Sequence, residues 1–173
     1  MSIDNQKDLK EIIDRFLRED ISQRLLFIIP HAQDRSVGEK EIIVRNMLLD
    51  IISTIDYKYK FFPVDMFEVS VDASDRFCGR LENVLGATYY EIEYDEKMAF
   101  ISEEIKKILE EKANSVGDKI VVIYNISSVK DTFDFNIERI IDIFSPSRMV
   151  IIWPSTKEYT SSLSLGKIER INV

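Results

Sequence analysis

The chain is poor in the residues that usually declare chemistry. Its 173 residues include one cysteine, Cys78, and one histidine, His31. A single cysteine excludes an intrachain disulfide and fits a reducing compartment. A single histidine excludes a His-rich metal centre and any mechanism built on a histidine pair. With only five glycines and four prolines there is no low-complexity tract or flexible linker, so one domain over 1–173 is expected. No apolar run approaches the ~20 residues that a membrane-spanning helix needs. The start, Met1-Ser2-Ile3-Asp4-Asn5-Gln6-Lys7-Asp8, has no signal-peptide core, and a cytoplasmic location without membrane contact is expected. Dense Lys/Arg runs are missing as well. The formal net charge is -8, from 31 acidic against 23 basic residues. A phosphate backbone would be repelled, so no direct nucleic-acid binding is expected.

What the chain does have is apolar residues, 45% of the total, in alternating helical and strand-like stretches. Leu9, Ile12, Ile13, Phe16, Leu17 and Ile21 recur at three- and four-residue steps and predict an N-terminal helix within 1–21. Continuous apolar runs at 24–29, 119–125 and 149–153 read as strands buried on both faces. Phe67, Val69 and Val71 alternate with Glu68, Ser70 and Asp72, which predicts another strand. A helix over 74–85, ended by Gly86, is expected to follow. A helix over 39–55 would carry Ile42, Ile43, Met47, Leu48, Ile51, Ile52 and Ile55 as its apolar set. Ser36 and Glu39 form a capping-box pattern at its start. Further helices are predicted over 96–113, with Phe100, Ile101, Ile105, Ile108 and Leu109 on one side, and over 135–144. Residues 88–94 suit a strand or a loop, and 167–173 an edge strand. Buried strands separated by long helices require right-handed crossovers. The expected fold is therefore α/β, a three-layer sandwich with a mostly parallel sheet and its core within 24–173.

Ligands in open α/β sheets bind at the carboxyl ends of strands. The loop after the first strand reads Pro30-His31-Ala32-Gln33-Asp34-Arg35-Ser36-Val37-Gly38. A phosphate cradle needs glycines so that backbone N–H groups converge on the anion, then a lysine and a hydroxyl for phosphate and magnesium. Here the only glycine is Gly38, Lys40 comes one place late, and Glu41 stands where the hydroxyl would hold magnesium. A Mg-dependent ATPase also places an acid at the end of a strand such as 120–126. Tyr124 and Asn125 occupy those places. Two missing catalytic positions argue against hydrolysis. The loop keeps two readings: Gly38 and Glu39 simply begin a capped helix, or Gly38, Lys40 and Asn125 form an altered nucleotide site that binds ATP weakly. Beyond that weak binding no cofactor is expected.

His31 with Asp34 nearby has the composition of a base and its orienter. With Asp72 it frames an alternative, a small hydrolase or nuclease. The plainer reading of His31 is a polar loop residue. Asp65, Asp72 and Asp75, and the stretch Glu91, Glu93, Asp95 and Glu96, lack the spacing of a calcium loop or a nuclease centre, so no metal is expected. Cys78, between Arg76 and Arg80, reads as an inert thiol on a helix face.

The order of elements looks like that of a small P-loop NTPase of the RecA/AAA type. Three stretches together resemble the BrxF-like P-loop proteins of type 3 BREX phage-defence systems. One is the N-terminal helix running into Arg24-Leu25-Leu26-Phe27-Ile28-Ile29; another is Phe67-Glu68-Val69-Ser70-Val71-Asp72 with the helix after it. The third is Val122-Ile123-Tyr124-Asn125-Ile126, a helix, and Met149-Val150-Ile151-Ile152-Trp153. The resemblance covers nearly the whole chain and is carried by apolar patterns together with Asn125-Ile126 and Trp153. It implies P-loop NTPase-like topology and a phage-defence component that works with other proteins, an active ATPase or a methyltransferase among the candidates, or as a homo-oligomer. The chain departs from the family at its phosphate loop and at Tyr124, which replaces an acid before Asn125. Those departures imply an adaptor or assembly subunit. A nucleotide-binding sensor with an atypical phosphate loop is a further alternative, although Gly-x-Gly-x-x-Gly is missing.

Overall fold

The computed structural model describes residues 6–19, 24–30, 37–55, 60–81, 83, 92–130, 132–133, 136–155 and 166–170. In chain order the elements are α1 (Gln6–Arg18), β1 (Arg24–Pro30), α2 (Val37–Thr54), β2 (Phe61–Asp65), α3 (Met66–Arg80) and α4 (Tyr94–Ala113). Then come β3 (Ile120–Tyr124), α5 (Ser127–Lys130), α6 (Ile137–Phe144), β4 (Met149–Ser155) and β5 (Lys167–Arg170). The strands form one all-parallel sheet in the order β2-β3-β4-β1-β5. Among the described residues no helix is long and apolar enough to cross a membrane.

The continuous apolar runs follow from burial on both pleat faces. Leu25, Phe27 and Ile29 of β1, Ile120 and Val122 of β3, and Val150 and Ile152 of β4 pack with α1 and α2. The residues between them, Leu26, Ile28, Val121, Ile123, Ile151 and Trp153, join the opposite layer with α3, α4 and α6. Side chains two apart share a face, so each strand supplies both cores. Each such large side chain contributes about 1.5–3 kcal/mol when fully buried. The two clusters therefore fix a three-layer α/β sandwich. The edge strand expected near the C-terminus is β5, beside β1. Gly166, at φ 82°, leads into it. A Cβ there would lie 2.6 Å from the Arg24 carbonyl oxygen, so only glycine lets β5 approach β1 this closely.

The strand predicted from Phe67, Val69 and Val71 is a correction. Those residues lie in α3, and the strand is the segment just before them, β2. Pro63 hides β2 in the sequence, because proline cannot donate to a ladder. It is tolerated here because, among the described residues, β2 is an edge strand paired with β3 alone. Asp65 then caps α3 by accepting from the Phe67 N–H at 2.9 Å. From that cap Met66, Val69, Ala73 and Phe77 repeat with helical spacing and are buried. Phe67 and Val71 are left 57% and 42% exposed. The predicted helix end at 82–86 lies mostly outside the described residues.

Two helices depart in part from the expected burial: α4 buries Ile101, Ile105, Ile108 and Leu109 as expected but not Phe100, and α2 buries Leu48 and Ile51 of its expected set but not Ile42 and Ile43. On α2 Ile42 and Ile43 are 45% and 47% exposed, and the buried set is Glu41, Val44, Leu48 and Ile51. On α4 Phe100 lies at the surface and stacks on Phe77 at 5.6 Å between ring centroids. The short turn α5 had no sequence signal. β4 runs on through Pro154, which fits because β3 pairs with β4 only as far as Ile151 and the missing donor interrupts no ladder on that side. Ile21, Ser36, residues 88–91 and 171–173 lie outside the described residues.

Candidate functional site

The carboxyl edge of the sheet collects the ends of β2, β3, β4 and β1. Parallel strands with crossover helices bring the first turn of α2, the cap of α3 and the turn after β3 to this edge. The apolar run of β3 stops at the half-buried Tyr124. Asn125 then takes the left-handed conformation, φ 58°. Asparagine enters that region more readily than most residues because its short amide can bond locally. Ile126 is buried, and α5 begins at Ser127.

Glu41 of α2 reaches into this turn. It is 2% exposed. Its Oε1 accepts from the Ile126 N–H at 2.7 Å and the Ser127 N–H at 3.5 Å, and its Oε2 accepts from the Ser127 hydroxyl. Burial pushes its carboxyl above the ordinary carboxylate value; the bonds from Ser127 and Ile126 and the charge of Arg45 pull the other way without cancelling that. One turn along α2, Arg45 Nη1 donates to Asn125 Oδ1 at 3.3 Å. Asn125 Nδ2 donates to Asp65 Oδ1 at 2.8 Å, the oxygen that also caps α3. A chain of hydrogen bonds thus runs from α2 through the turn after β3 to the start of α3.

Two further side chains on this edge are Tyr124 and Lys130. The Tyr124 hydroxyl is pushed above its ordinary value by burial and then by the charges of Asp65 and Glu68, with Arg45 opposing. A neutral phenol cannot replace the carboxylate that organises magnesium. Lys130 Nζ donates to the Pro154 carbonyl at 3.0 Å and lies 5.6 Å from the centroid of the Trp153 ring. Trp153 Nε1 is buried without a hydrogen-bond partner among the described residues.

Of the residues singled out in the sequence, Asn125 enters this network. Gly38 and Lys40 lie on the first turn of α2, Gly38 exposed and Lys40 half-buried. A Cβ on Gly38 would meet nothing within 4 Å, so no close approach of backbone demands a glycine there. His31 and Asp34 lie outside the described residues. Asp72 is exposed on α3, seven residues past the strand end, about 10 Å along the helix. It is not brought to Asn125. Cys78 is half-buried on α3. Among the described residues no three carboxylate, histidine or cysteine side chains gather as a metal-ligand set.

Sequence reasoning noticed Glu41 only as a repulsive neighbour for phosphate, and missed Arg45 and Ser127. A signal for Glu41 was present: with Val44, Leu48 and Ile51 it occupies the buried stripe of α2, at a position an apolar residue should hold. Depressions lie elsewhere, among them these two. One of about 470 Å³ sits at the opposite, amino edge against Asp118, Lys119 and Arg148. Another, of about 500 Å³, lies between α4 and α6.

Compared with protein-family models, curated proteins and solved structures, the chain has no significant match.

Proposed function

We propose that this chain is a non-catalytic subunit on a P-loop-like frame, acting as an adaptor within a multi-protein system of the phage-defence, BREX-like kind, in the cytoplasm. The observation that carries this reading is Glu41. In a triphosphate site the second turn of this helix would supply a hydroxyl to magnesium, and the end of β3 an acid. Here the helix supplies a buried carboxylate bonded to Ile126 and Ser127, and β3 ends in Tyr124. A negative group fixed between the two places where triphosphate and metal would meet repels the one and leaves the other without its second ligand. The all-parallel sheet, with β1 inside it and α2 leading from β1 to the far edge strand, supports the P-loop-like frame.

The hydrolase reading needs His31, Asp34 and Asp72 to converge, and no observation favours it. A thermal-shift titration with ATP and Mg²⁺ tests the main reading, since a ligand that binds only the native state raises the midpoint by mass action. No saturable rise is expected. A saturable rise, or ATP turnover abolished by Lys40→Ala, overturns the proposal.

A further inference from the structure

We propose that the exposed face of α3 is a docking surface for a basic amphipathic segment of a partner protein. This inference rests on the protein-binding reading above and names the chemistry of the partner. Along α3 the outward positions alternate between an apolar and an acidic row. Phe67 and Val71, one turn apart, are 57% and 42% exposed. Glu68, Asp72 and Asp75 are exposed directly beside them. A phenylalanine more than half in water beside a second large apolar side chain is a composition typical of contact surfaces.

Among the described residues Glu68, Asp72 and Asp75 form no ion pair within 4 Å, although Asp72 feels the charge of Arg76 one turn along. The basic residues of α3 are turned the other way, towards α4. Arg76 binds Glu111 through two bonds of 3.0 and 2.9 Å, and Arg80 binds Glu104 at 2.9 Å. The outward row is left with three exposed carboxylates and a net negative charge, since the one cation beside it, Arg76, spends its hydrogen bonds on Glu111. A complementary surface carries lysine or arginine flanking two apolar side chains one helical turn apart, as the basic face of a short helix does.

The same features argue against two other occupants. A second copy meeting this face about a two-fold axis would set Glu68, Asp72 and Asp75 against their own images. Strand addition to the neighbouring edge strand β2 is blocked by the exposed Pro63, which has no N–H to offer a ladder. The Phe67 N–H also donates to Asp65, so an occupied α3 face touches the end of the hydrogen-bond chain that begins on α2.

The test uses a synthetic helix of leucine and lysine as the probe, with a leucine–glutamate helix as its counterpart, followed by fluorescence anisotropy against the full chain. Saturable binding of the lysine helix is expected, weakening as salt rises. The pair Phe67→Ser with Val71→Ser, and separately the pair Glu68→Lys with Asp72→Lys, should each weaken it about tenfold, or about 1.4 kcal/mol. Ile42→Ser with Ile43→Ser, at the equally exposed apolar pair of α2, should leave it unchanged. All these positions are exposed, and a urea transition on each variant verifies that it still folds. The proposal is overturned by no binding, by equal binding of the glutamate helix, by indifference to the α3 changes, or by self-association that Phe67→Ser abolishes. Repeating the titration with ATP and Mg²⁺ separates the failures. A nucleotide-induced shift with peptide still on α3 removes the non-catalytic reading alone. Peptide that ignores α3 without any nucleotide effect removes the docking surface alone.

Discussion

Glu41 on α2 and Glu104 on α4 are both buried, 2% and 5% exposed, yet their surroundings treat the charge in opposite ways. Glu104 Oε1 receives Lys107 Nζ at 2.7 Å and Arg80 Nη1 at 2.9 Å. The Lys107 bond first, and the Arg80 charge after it, hold its carboxyl below the ordinary value against the effect of burial. Among the described residues Glu41 has no cation in contact. Its donors are two backbone N–H groups and a hydroxyl, Arg45 acts only at a distance, and burial wins. Glu104 is an ion-pair pin between two surface helices. Glu41 is an anchor kept for its geometry: it accepts from the buried Ile126 N–H and from Ser127, and it carries an electrostatic cost to do so.

That contrast is broken most severely by Glu41→Ala, which strips the acceptor from the Ile126 and Ser127 donors. Unfolding free energy should fall by about 2–3 kcal/mol, measured by urea denaturation at neutral pH. A loss below about 0.5 kcal/mol, the scale of an ordinary surface change, contradicts the anchor role. Asn125 sharpens the account next. Asn125→Ala should cost about 2 kcal/mol, from the left-handed backbone and the lost bonds to Asp65 and Arg45, whereas Asn125→Gly should recover about 1 kcal/mol of that. Equal losses would mean the backbone conformation is unimportant. Glu104→Ala should cost less than Glu41→Ala, about 1 kcal/mol, because Lys107 and Arg80 are half in water and can be solvated when it is gone.

The smallest effect is in pH dependence, and here the two sites should have opposite signs. Glu41 has a raised folded value, so the native state holds the proton more tightly. Its contribution to stability falls as pH rises from the ordinary carboxylate value through the raised one. Glu104 has a lowered folded value. Its contribution is present above the ordinary value and is lost as pH falls through the lowered one. The penalty of Glu41→Gln relative to the native chain should therefore shrink with rising pH over the first window. That of Glu104→Gln should grow with rising pH over the second. Parallel slopes in pH-resolved denaturation curves would remove the distinction.

The readable parts of the sequence were those where one physical demand acted alone. β1, β3 and β4 were evident because each is apolar on both pleat faces, and α4 because its buried stripe is regular. β2 was hidden by Pro63, whose tolerance depends on the strand lying at the sheet edge, a fact that no local pattern contains. The start of α3 was read as a strand because Phe67 and Val71 are apolar yet exposed, so surface and core demands overlapped in the same short window. In the site, Tyr124, Asn125 and the altered helix start were visible as departures from a phosphate-binding pattern. The bonds made there were not visible, because Glu41 and Ile126 are 85 residues apart and meet only through the parallel sheet.

The central proposal is that Glu41 holds the turn after β3 and sets its carboxyl where a triphosphate would have to bind. Amide NMR of Ile126 and Ser127 during an ATP and Mg²⁺ titration addresses it at the atoms concerned. The account predicts that both resonances stay in place and that the Ile126 amide resists hydrogen exchange until Glu41 is replaced by alanine. Saturable movement of either resonance with nucleotide, or an Ile126 amide that exchanges freely in the native chain, would contradict it.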